Sequence, residues 1–329
     1  MISFGGLFEN IAAPDSLQAA MWRAARGKRH HPAVARFIEN SDSELRQLRD
    51  ELLGGEYRPS RYAQFPILDP KPRLISCADF RDRVVHHSLC AHIGPCLERR
   101  FIADTYACRI GKGCHRAVLR AQELCRRHRY CLKLDVAKYY DSIRHDILLG
   151  LLNRTFREQR LRSLLEMIVR HPLPGQTEGA GVPIGNLTSQ WFANVYLDEL
   201  DHLAHEQWGC GGYVRYMDDM VFWCDAKERL WSVRGRVERF LAEERGLRIK
   251  PGCLPPTPVT EGLPFLGMRV YRGLLRLQHQ RLWRTRRRIR FMERNVRSGV
   301  STMEELARSA RACAGIVEIF CLRGALTSA

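Results

Sequence analysis

Two adjacent acids, Asp218 and Asp219, interrupt an apolar stretch of the sequence. They lie in the segment 213–224, which reads YVRYMDDMVFWC. The flanking runs are typical of β-strands, so the pattern predicts a hairpin with both acids at its turn. A solvated turn alone could explain such a pair, because aspartate tolerates unusual backbone angles. A third acid, Asp135, changes the interpretation, since it ends the apolar strand pattern CLKLD, where an isolated charge needs a partner.

Three carboxylates that converge from neighbouring strands repel one another unless cations neutralise them. Two carboxylates about 4 Å apart repel by roughly 4 kcal/mol at an effective dielectric constant of about 20. Magnesium relieves this repulsion, because it prefers oxygen ligands and keeps open positions for phosphate oxygens. Two such ions stabilise the attacking and the leaving oxygen of a phosphoryl displacement. The acids therefore predict a site for two Mg²⁺ ions, or for Mn²⁺ in their place.

The charge balance of the chain predicts a polyanionic partner. Lys and Arg number 53 against 36 Asp and Glu, which gives a net charge of +17 over 329 residues. Arginine suits phosphate because its planar fork donates bidentate hydrogen bonds. Nucleic acid is the expected partner, and a merely soluble basic protein is the alternative. The metal-binding site would then lie in a surface that binds a polyanion.

The sequence alternates irregularly between helical and strand patterns. Helical spacing occurs at 16–27, 42–54, 81–100, 145–153, 186–206 and 226–245, and again from Leu282 onward. Strand patterns occur at 64–76, which turns at Asp69–Pro70, and at 130–136, 213–224, 264–271 and 274–278. Residues 172–185 are rich in Gly and Pro and predict a loop. Together these predict an α+β fold with an antiparallel sheet and a helical C-terminal part.

The twelve cysteines predict neither a zinc site nor a disulfide framework. They are scattered and include no Cys-x-x-Cys pair, whereas zinc sites group their ligands at short spacing. Buried, reduced thiols are the expectation. No apolar run is long enough to span a membrane and no signal segment opens the chain, so a cytoplasmic protein without a membrane partner is expected.

Six segments, in this order, resemble the reverse transcriptases. They are KPRLISCADFRDRVVHHSL (71–89), YACRIGKGCHRAV (106–118), LKLDVAKYYDSIRHD (132–146), GVPIGNLTSQWFANVYLDELD (181–201), VRYMDDMVF (214–222) and LPFLGMRV (263–270). The resemblance implies a right-hand polymerase. It implies fingers at 1–130 with a further part near 150–185, a palm at 131–271 and a thumb at 272–329.

The resemblance also implies roles for residues around the acids. Asp135 and Asp218 would be catalytic ligands of both metals, assisted by the carbonyl of Val136, with Asp219 as a weaker ligand. Tyr140 matches the steric-gate position, where a ring would collide with a ribose 2′-hydroxyl and so select deoxynucleotides.

A second group of residues would bind the incoming nucleotide. Lys71 and Arg73 match positions that reach the triphosphate. Gly185 would let the backbone approach the nucleotide, and Gln190 belongs to the same segment. Lys250 falls where relatives carry a lysine that protonates pyrophosphate, although the following PGCLPPTP departs from the usual pattern.

The primer and template would be held further along the chain. Phe265, Leu266 and Gly267 resemble the primer-grip turn. The segment 281–297 carries eight arginines, with Arg284, Arg287 and Arg288 among them, and on a helix its apolar residues could pack inward while the arginines follow a phosphate backbone. A solvated basic face is the alternative for this segment.

Residues 184–190, IGNLTSQ, are closest to the reverse transcriptases of diversity-generating retroelements, where most relatives have Gln-Gly-x-x-x-Ser-Pro. Ile184 can neither donate nor accept a hydrogen bond, unlike Gln. The resemblance implies error-prone cDNA synthesis at template adenines, with a template RNA, a primer strand, dNTPs and a small basic helical accessory protein as partners. A retron-like or defence-associated enzyme and a catalytically silent RNA-binding protein are the rival interpretations, and the chain ends before the segments that group II intron maturases carry after the thumb.

Overall fold

The computed structural model describes residues 6–68, 72–175 and 177–311 of the chain. Twelve α-helices have both ends in these ranges: α1 Leu7–Ala12, α2 Pro14–Ala24, α3 Pro32–Glu39, α4 Ser41–Gly54, α5 Phe80–Glu98, α6 Cys114–Arg127, α7 Tyr139–Ser142, α8 His145–Thr155, α9 Gln159–Val169, α10 Leu187–His202, α11 Lys227–Arg245 and α12 His279–Arg297. Residues 303–311 are helical as well. Nine strands accompany them: β1 Ala63–Leu68, β2 Pro72–Cys77, β3 Tyr130–Leu134, β4 Gly212–Tyr216, β5 Asp219–Cys224, β6 Thr257–Pro258, β7 Leu263–Phe265, β8 Met268–Val270 and β9 Leu275–Leu277.

The strands form three antiparallel sheets, so the α+β prediction is confirmed. The central sheet has the order β4-β5-β3-β6, with β1-β2 as a separate hairpin and β7-β8-β9 as a third sheet. In the central sheet Leu134 pairs with Met220, and Tyr216 pairs with Asp219. Met217 and Asp218 form the turn of the β4–β5 hairpin, so the predicted hairpin is confirmed. Only one of the two acids lies at its turn, because Asp219 pairs with Tyr216 as the first residue of β5.

Two cores cover the two faces of the central sheet. Leu132, Leu134, Met220 and Phe222 point into the larger core, which includes α5 and α10. The alternate residues, such as Cys131 and Val221, join a smaller core with α6 and the β7–β9 sheet. This alternation follows from the period of two in a strand. Lys133 and Asp135 lie on the same face of β3 as Cys131, because they follow it at a spacing of two residues. They stand at the end of the strand that the smaller core does not cover.

Helix α10 occupies the centre of the larger core. It contacts α5, α8, α11 and the π-helical turn Leu203–Gln207 that extends it. Trp191 of α10 packs against Gly94 of α5 so closely that a Cβ at Gly94 would lie 3.0 Å from the indole. A glycine at position 94 therefore lets the two helices approach each other.

Two sequence expectations need correction. Cys108 is exposed, whereas the cysteines were expected to be buried; the other nine described cysteines are buried or half-buried, and all ten are free thiols. Trp283 and Phe291 of α12 are each 54% exposed, so they do not pack inward as expected. The apolar residues that lie on the half-buried stripe of this helix are Leu282, Ile289, Met292 and Val296. No helix in the described ranges is both long and apolar enough to cross a membrane.

Candidate active site

The central sheet brings the predicted acids to one end of neighbouring strands. Asp135 follows directly after β3, Asp218 lies in the β4–β5 turn, and Asp219 is the first residue of β5. Since β3 and β5 are paired antiparallel, the end of one strand meets the beginning of the other. The sheet register therefore explains how acids that are 83 residues apart in the sequence come to share one site.

Asp135 and Asp218 form a close carboxyl pair. The pKa of Asp218 is raised to about 7, first because the group is largely buried and then because of the negative charge of Asp135. A side-chain hydrogen bond between the two carboxyl groups contributes to the same shift, and the charge of Asp219 adds to it. A buried acid pair of this kind binds either a proton or a cation.

Two lysines lie against the acids. The ammonium Nζ of Lys133 lies 2.9 Å from Asp219 Oδ1, and that of Lys250 lies 2.8 Å from Asp135 Oδ2. The pKa of Lys250 is raised by its hydrogen bond to Asp135 and by the charge of that carboxylate. The third acid is thus directed towards Lys133, and within the described ranges no three metal-ligating side chains come together as one group.

The donor set fits a hard divalent cation. Asp135 and Asp218 supply adjacent carboxylate oxygens, and the charge of Asp135 disfavours ionisation of Asp218. Both lysine contacts show that positive charge is favoured here. Val136 has a buried side chain, and its backbone pairs with Ile249 in an isolated bridge, which fixes the main chain directly after Asp135. Asp219 would join the pair as a ligand only by exchanging Lys133 for the metal.

The turn that carries Asp218 has a support that the sequence interpretation missed. Arg215, the next-to-last residue of β4, is 0% exposed and donates a 3.0 Å hydrogen bond to the carbonyl of Met217. Its guanidinium also forms a buried ion pair with Asp201 of α10. The sequence held two signals of such charge pairs. Arg215 stands inside the apolar pattern of β4, and Lys133 stands inside that of β3.

Tyr140 lies beside this turn. Its hydroxyl is 3.6 Å from the sulfur of Met217, and its ring packs edge-on against Tyr139 at 5.8 Å between centroids. Burial raises the pKa of Tyr140, the charges of Cys108 and Asp218 act in the same direction, and that of Arg73 opposes them. The structure therefore places Tyr140 near Asp218, and Arg73 near Tyr140. Lys71, the other predicted triphosphate ligand, lies outside the described residues.

The segment around Ile184 closes against the β1–β2 hairpin. The carbonyl of Ile184 accepts a hydrogen bond from the amide of Ser76 at 3.2 Å. Gly185 has φ +115°, and a Cβ there would lie 2.9 Å from Cγ2 of Ile75. Glycine is required at position 185 for both reasons. Gln190 is half-buried in the first turn of α10.

A small cavity lies beside Asp135. It has a volume of about 190 Å³ and is lined by Lys133, Asp135, Lys250 and the loop 251–255, with Leu263 and Pro264 at its other side. The loop is fixed at its start, because the amide of Lys250 donates to the carbonyl of Asp135 at 2.8 Å. The cavity thus extends from Asp135 to the start of the β7–β8 hairpin.

That hairpin turns at the predicted primer-grip residues. Phe265 is buried and pairs with Met268, so Leu266 and Gly267 form a two-residue turn with φ of 48° and 80°. Two positive φ values are typical of the type I′ turn that matches strand twist. Gln278 lies directly before α12, and its backbone N–H donates a hydrogen bond to the carbonyl of Gly267 at 3.1 Å. The turn therefore anchors the start of the basic helix.

Helix α12 separates its arginines onto two faces. One face is concave, with a volume of about 640 Å³, and is lined by Trp283, Arg286, Arg287, Arg290, Glu293, Arg294 and Arg297. Arg284 and Arg288 are exposed but do not line it, since they lie about a quarter turn further round a helix of 3.6 residues per turn. Of the three arginines predicted to bind template, only Arg287 belongs to the concave face.

Comparisons with known proteins agree with this arrangement. The profile of the family "Reverse transcriptase (RNA-dependent DNA polymerase)" matches residues 68–270. Protein YkfC of Escherichia coli is 27% identical over 283 residues, which is 73% of this chain and 74% of that protein. The group II intron-encoded protein LtrA of Lactococcus lactis subsp. cremoris is 23% identical over 171 residues, 49% of this chain and 28% of that protein.

Solved structures give weaker likenesses. A partial Cas6-RT-Cas1–Cas2 complex has a TM-score of 0.43 at 18% identity, over 72% of this chain and 43% of that one. The apo telomerase of Candida tropicalis has a TM-score of 0.48 at 10% identity, over 65% of this chain and 47% of that one. The assignment therefore depends on the sequence profile, which covers more than half of the chain and contains all three acids. The chain belongs to the reverse transcriptase family of RNA-dependent DNA polymerases.

Proposed function

We propose that the protein copies a template RNA into cDNA by adding deoxynucleotides to a primer 3′-hydroxyl. The observation that carries the proposal is the coupled pair Asp135–Asp218 on adjacent strands, inside the segment that matches the family. Two bound Mg²⁺ ions, with Mn²⁺ as a substitute, supply charge stabilisation for the phosphoryl transfer. Asp135, Asp218 and the carbonyl of Val136 would hold them, with Asp219 as a further ligand.

The remaining residues have proposed roles towards the nucleotide. Arg73, with Lys71, binds the triphosphate and offsets the charge that develops on pyrophosphate. Tyr140 excludes a ribose 2′-hydroxyl from the space beside Met217. The ammonium group of Lys250 already lies in the site, paired with Asp135. Once Lys250 has left Asp135, it donates a proton to pyrophosphate.

The proposed division into subdomains follows the elements. Fingers comprise 1–130 with a part near 150–185, the palm comprises 131–271, and the thumb comprises 272–329. The palm so defined contains the β4-β5-β3-β6 sheet except for Tyr130, the first residue of β3. In the thumb, the concave face of α12 would follow a phosphate backbone, and the Leu266–Gly267 turn would hold the primer.

A primer-extension assay on an RNA template tests the activity. Wild type is expected to make cDNA in Mg²⁺. Asp218→Asn is expected to lose at least about 1,000-fold in rate, because the metal ions that would stabilise the charge of the transition state lose a carboxylate ligand. Asp50→Asn, at an exposed acid of α4, is the matched control and should retain full activity. Absence of product from wild type and Asp218→Asn alike would favour the rival, an RNA-binding protein without catalysis.

We further propose that the enzyme serves a diversity-generating retroelement and is error-prone at template adenines. The support is the segment 184–190, in which half-buried Ile184 borders Gly185 and cannot make a polar contact with a base pair. Template RNA, primer strand, dNTPs and a small basic helical accessory protein are the proposed partners. A retron-like or defence-associated reverse transcriptase is the alternative, with the same chemistry. The similarity to a group II intron-encoded protein does not distinguish between the two subtypes.

Sequencing of the cDNA tests this subtype. Ile184→Gln is expected to lower misincorporation opposite adenine severalfold, because a polar side chain restores one check on the base pair. Ile110→Gln is a matched control at a side chain that is 84% exposed. An equal error rate in wild type and Ile184→Gln would contradict the role of Ile184, and a low error rate in wild type would favour the alternative enzyme.

A further inference from the structure

The guanidinium of Arg215 is buried completely in the middle of the molecule. Arg215 lies in β4, two residues before the turn, and is 0% exposed. Its backbone is also held, because its amide donates to the carbonyl of Asp104 and its carbonyl accepts from the amide of Tyr106, each at 3.0 Å. The side chain therefore leaves a fixed main chain in a fixed direction.

On one side the guanidinium is bound to α10. Nε and Nη2 donate to the two carboxylate oxygens of Asp201 at 2.7 and 2.5 Å. Nη1 and Nη2 also donate to the side-chain and main-chain oxygens of Asn194, both at 3.2 Å. Asp201 receives a further hydrogen bond from the hydroxyl of Tyr213 at 2.7 Å. The plane of the guanidinium is thus set by two residues of one helix.

On the other side the guanidinium is bound to the turn. Nη1 donates to the carbonyl of Met217 at 3.0 Å. Met217 has φ 54°, in the left-handed region that non-glycine residues seldom adopt. The carbonyl that accepts this bond belongs to the peptide that joins Met217 to Asp218. The orientation of that peptide determines the position of the Asp218 Cα, and therefore the point from which its carboxylate side chain extends.

Stability alone gives a weak reason for this arginine. Burying an ion pair costs desolvation, and well-packed apolar side chains serve stability as well or better. Only the planar fork of arginine reaches the carboxylate, the amide oxygen and the turn carbonyl together, which an ammonium cannot do. The arrangement is therefore suited to fixing geometry.

We propose that Arg215 is a positioning residue, which uses Asp201 and Asn194 of α10 as a fixed base to hold the Met217–Asp218 peptide, and so keeps the Asp218 carboxylate beside Asp135. The inference deepens the proposed function and rests on it. It requires no contact between Arg215 and the substrate. It assigns to the buried ion pair a role in metal binding and in the rate of the chemical step.

The test uses Arg215→Lys in the full chain, with three measurements. These are the Mn²⁺ dissociation constant from electron paramagnetic resonance, kcat and KM for dNTP, and the urea midpoint of unfolding. Mn²⁺ affinity is expected to fall about tenfold and kcat about 10- to 100-fold, as a misplacement near 1 Å can cause, while KM changes less than about threefold. Arg245→Lys is the matched control, because Arg245 is a buried arginine that pairs with Glu199 of the same helix at 2.5 Å and does not touch the turn.

The outcomes separate this inference from the proposed function. A folded Arg215→Lys with Mn²⁺ affinity and kcat within twofold of wild type would overturn the positioning role, as would equal losses in Arg245→Lys. If Arg215→Lys does not fold, Asn194→Ala keeps the buried ion pair and must still weaken Mn²⁺ binding and kcat severalfold; normal values there overturn the inference. Failure of wild type to make cDNA refutes the proposed function, whereas the Mn²⁺ titration remains a test of positioning.

Discussion

At the scale of single residues, the site balances three carboxylates against two ammonium groups. Lys133 is bound to Asp219 and Lys250 to Asp135, while the charges of Asp135 and Asp219 raise the pKa of Asp218. A divalent cation that binds the acids has to compete with these lysines for oxygen atoms. In the proposed function the lysines would hold the acids in place while no metal is bound, and each lysine is expected to lower metal affinity.

The first prediction follows for Lys133. Lys133→Met removes an ammonium 2.9 Å from Asp219 without changing the length of the stem. Mn²⁺ affinity is expected to rise about three- to tenfold, since the metal no longer competes with a neighbouring cation. A Mn²⁺ titration followed by electron paramagnetic resonance measures it, with exposed Lys227→Met as control. Unchanged or weaker binding in Lys133→Met would count against competition.

A second prediction at this scale concerns Gly185. An alanine there meets both a φ of +115° and Cγ2 of Ile75 at 2.9 Å. Gly185→Ala is expected to lower the free energy of unfolding by about 2–3 kcal/mol, from backbone strain and steric overlap together. In an Ile75→Ala background only the strain is left, so the same substitution should cost about half as much. Urea denaturation of the four proteins measures the coupling, and strictly additive effects would exclude the contact with Ile75.

At the scale of elements, strong local patterns predicted the parts that position the site. The β4–β5 hairpin, the hairpin over 64–76, α5, α10 and α11 all lie where periodicity placed them, with ends that differ by a few residues. Their apolar residues repeat with the period of the element, so each local pattern agrees with the tertiary packing. The six-residue α1, the eight-residue α3 and the two-residue β6 are too short for such a pattern to repeat, and α6 and α9 were not singled out.

The partners of charged side chains could not be predicted in the same way. Lys133 and Arg215 stand in strand patterns, but their acids lie 86 residues later and 14 residues earlier in the chain. Which pairs form depends on strand register and on the packing of β4 against α10. Periodicity states which face a residue occupies and carries no information on what lies across that face.

The third prediction belongs to helix α12. Arg287 and Arg290 line its concave face, whereas Arg284 and Arg288 lie on another face. If a nucleic-acid backbone follows the concavity, Arg287→Ala should reduce the slope of log affinity against log salt by about one. Arg284→Ala should leave the slope unchanged, which makes it a matched control on the same helix. Binding to a primer–template duplex from 50 to 300 mM salt, about the range where such contacts are screened, measures both slopes.

At the scale of the whole molecule, α10 joins the helical layer to the central sheet, and it does so with buried acids. Asp201 is fully buried and neutralised by Arg215. Asp198, one turn earlier, is 3% exposed, and its contacts with Arg100 and His202 are longer, at 3.2 and 3.8 Å. Burial, followed by the charge of Asp201, raises the pKa of Asp198 from near 3.8 to about 6. The two acids of one helix therefore affect stability in opposite ways.

The sign of the Asp198 effect follows from linkage. Since its pKa is raised on folding, the folded state binds the proton more tightly than the unfolded chain does. This contribution to stability is fully present below the unfolded value near 3.8, and it is lost as the pH rises through about 6. Above that range the folded protein bears the cost of an ionised, incompletely paired carboxylate at the centre of the molecule.

The fourth prediction tests this balance. Asp198→Asn removes the charge at nearly constant volume, so it should stabilise the protein at pH 8 by about 1–3 kcal/mol, reduced by the lost contact with Arg100, and should make little difference near pH 4. Asp201→Asn, three residues along the same helix, should instead destabilise by about 3–5 kcal/mol, because it leaves Arg215 buried without its counter-ion. Urea unfolding of both variants and wild type at pH 4, 6 and 8 measures these differences. A gain for Asp198→Asn that is independent of pH would show that the asparagine acts through packing, and a loss at pH 8 would show that the ion pair with Arg100 outweighs the desolvation of Asp198.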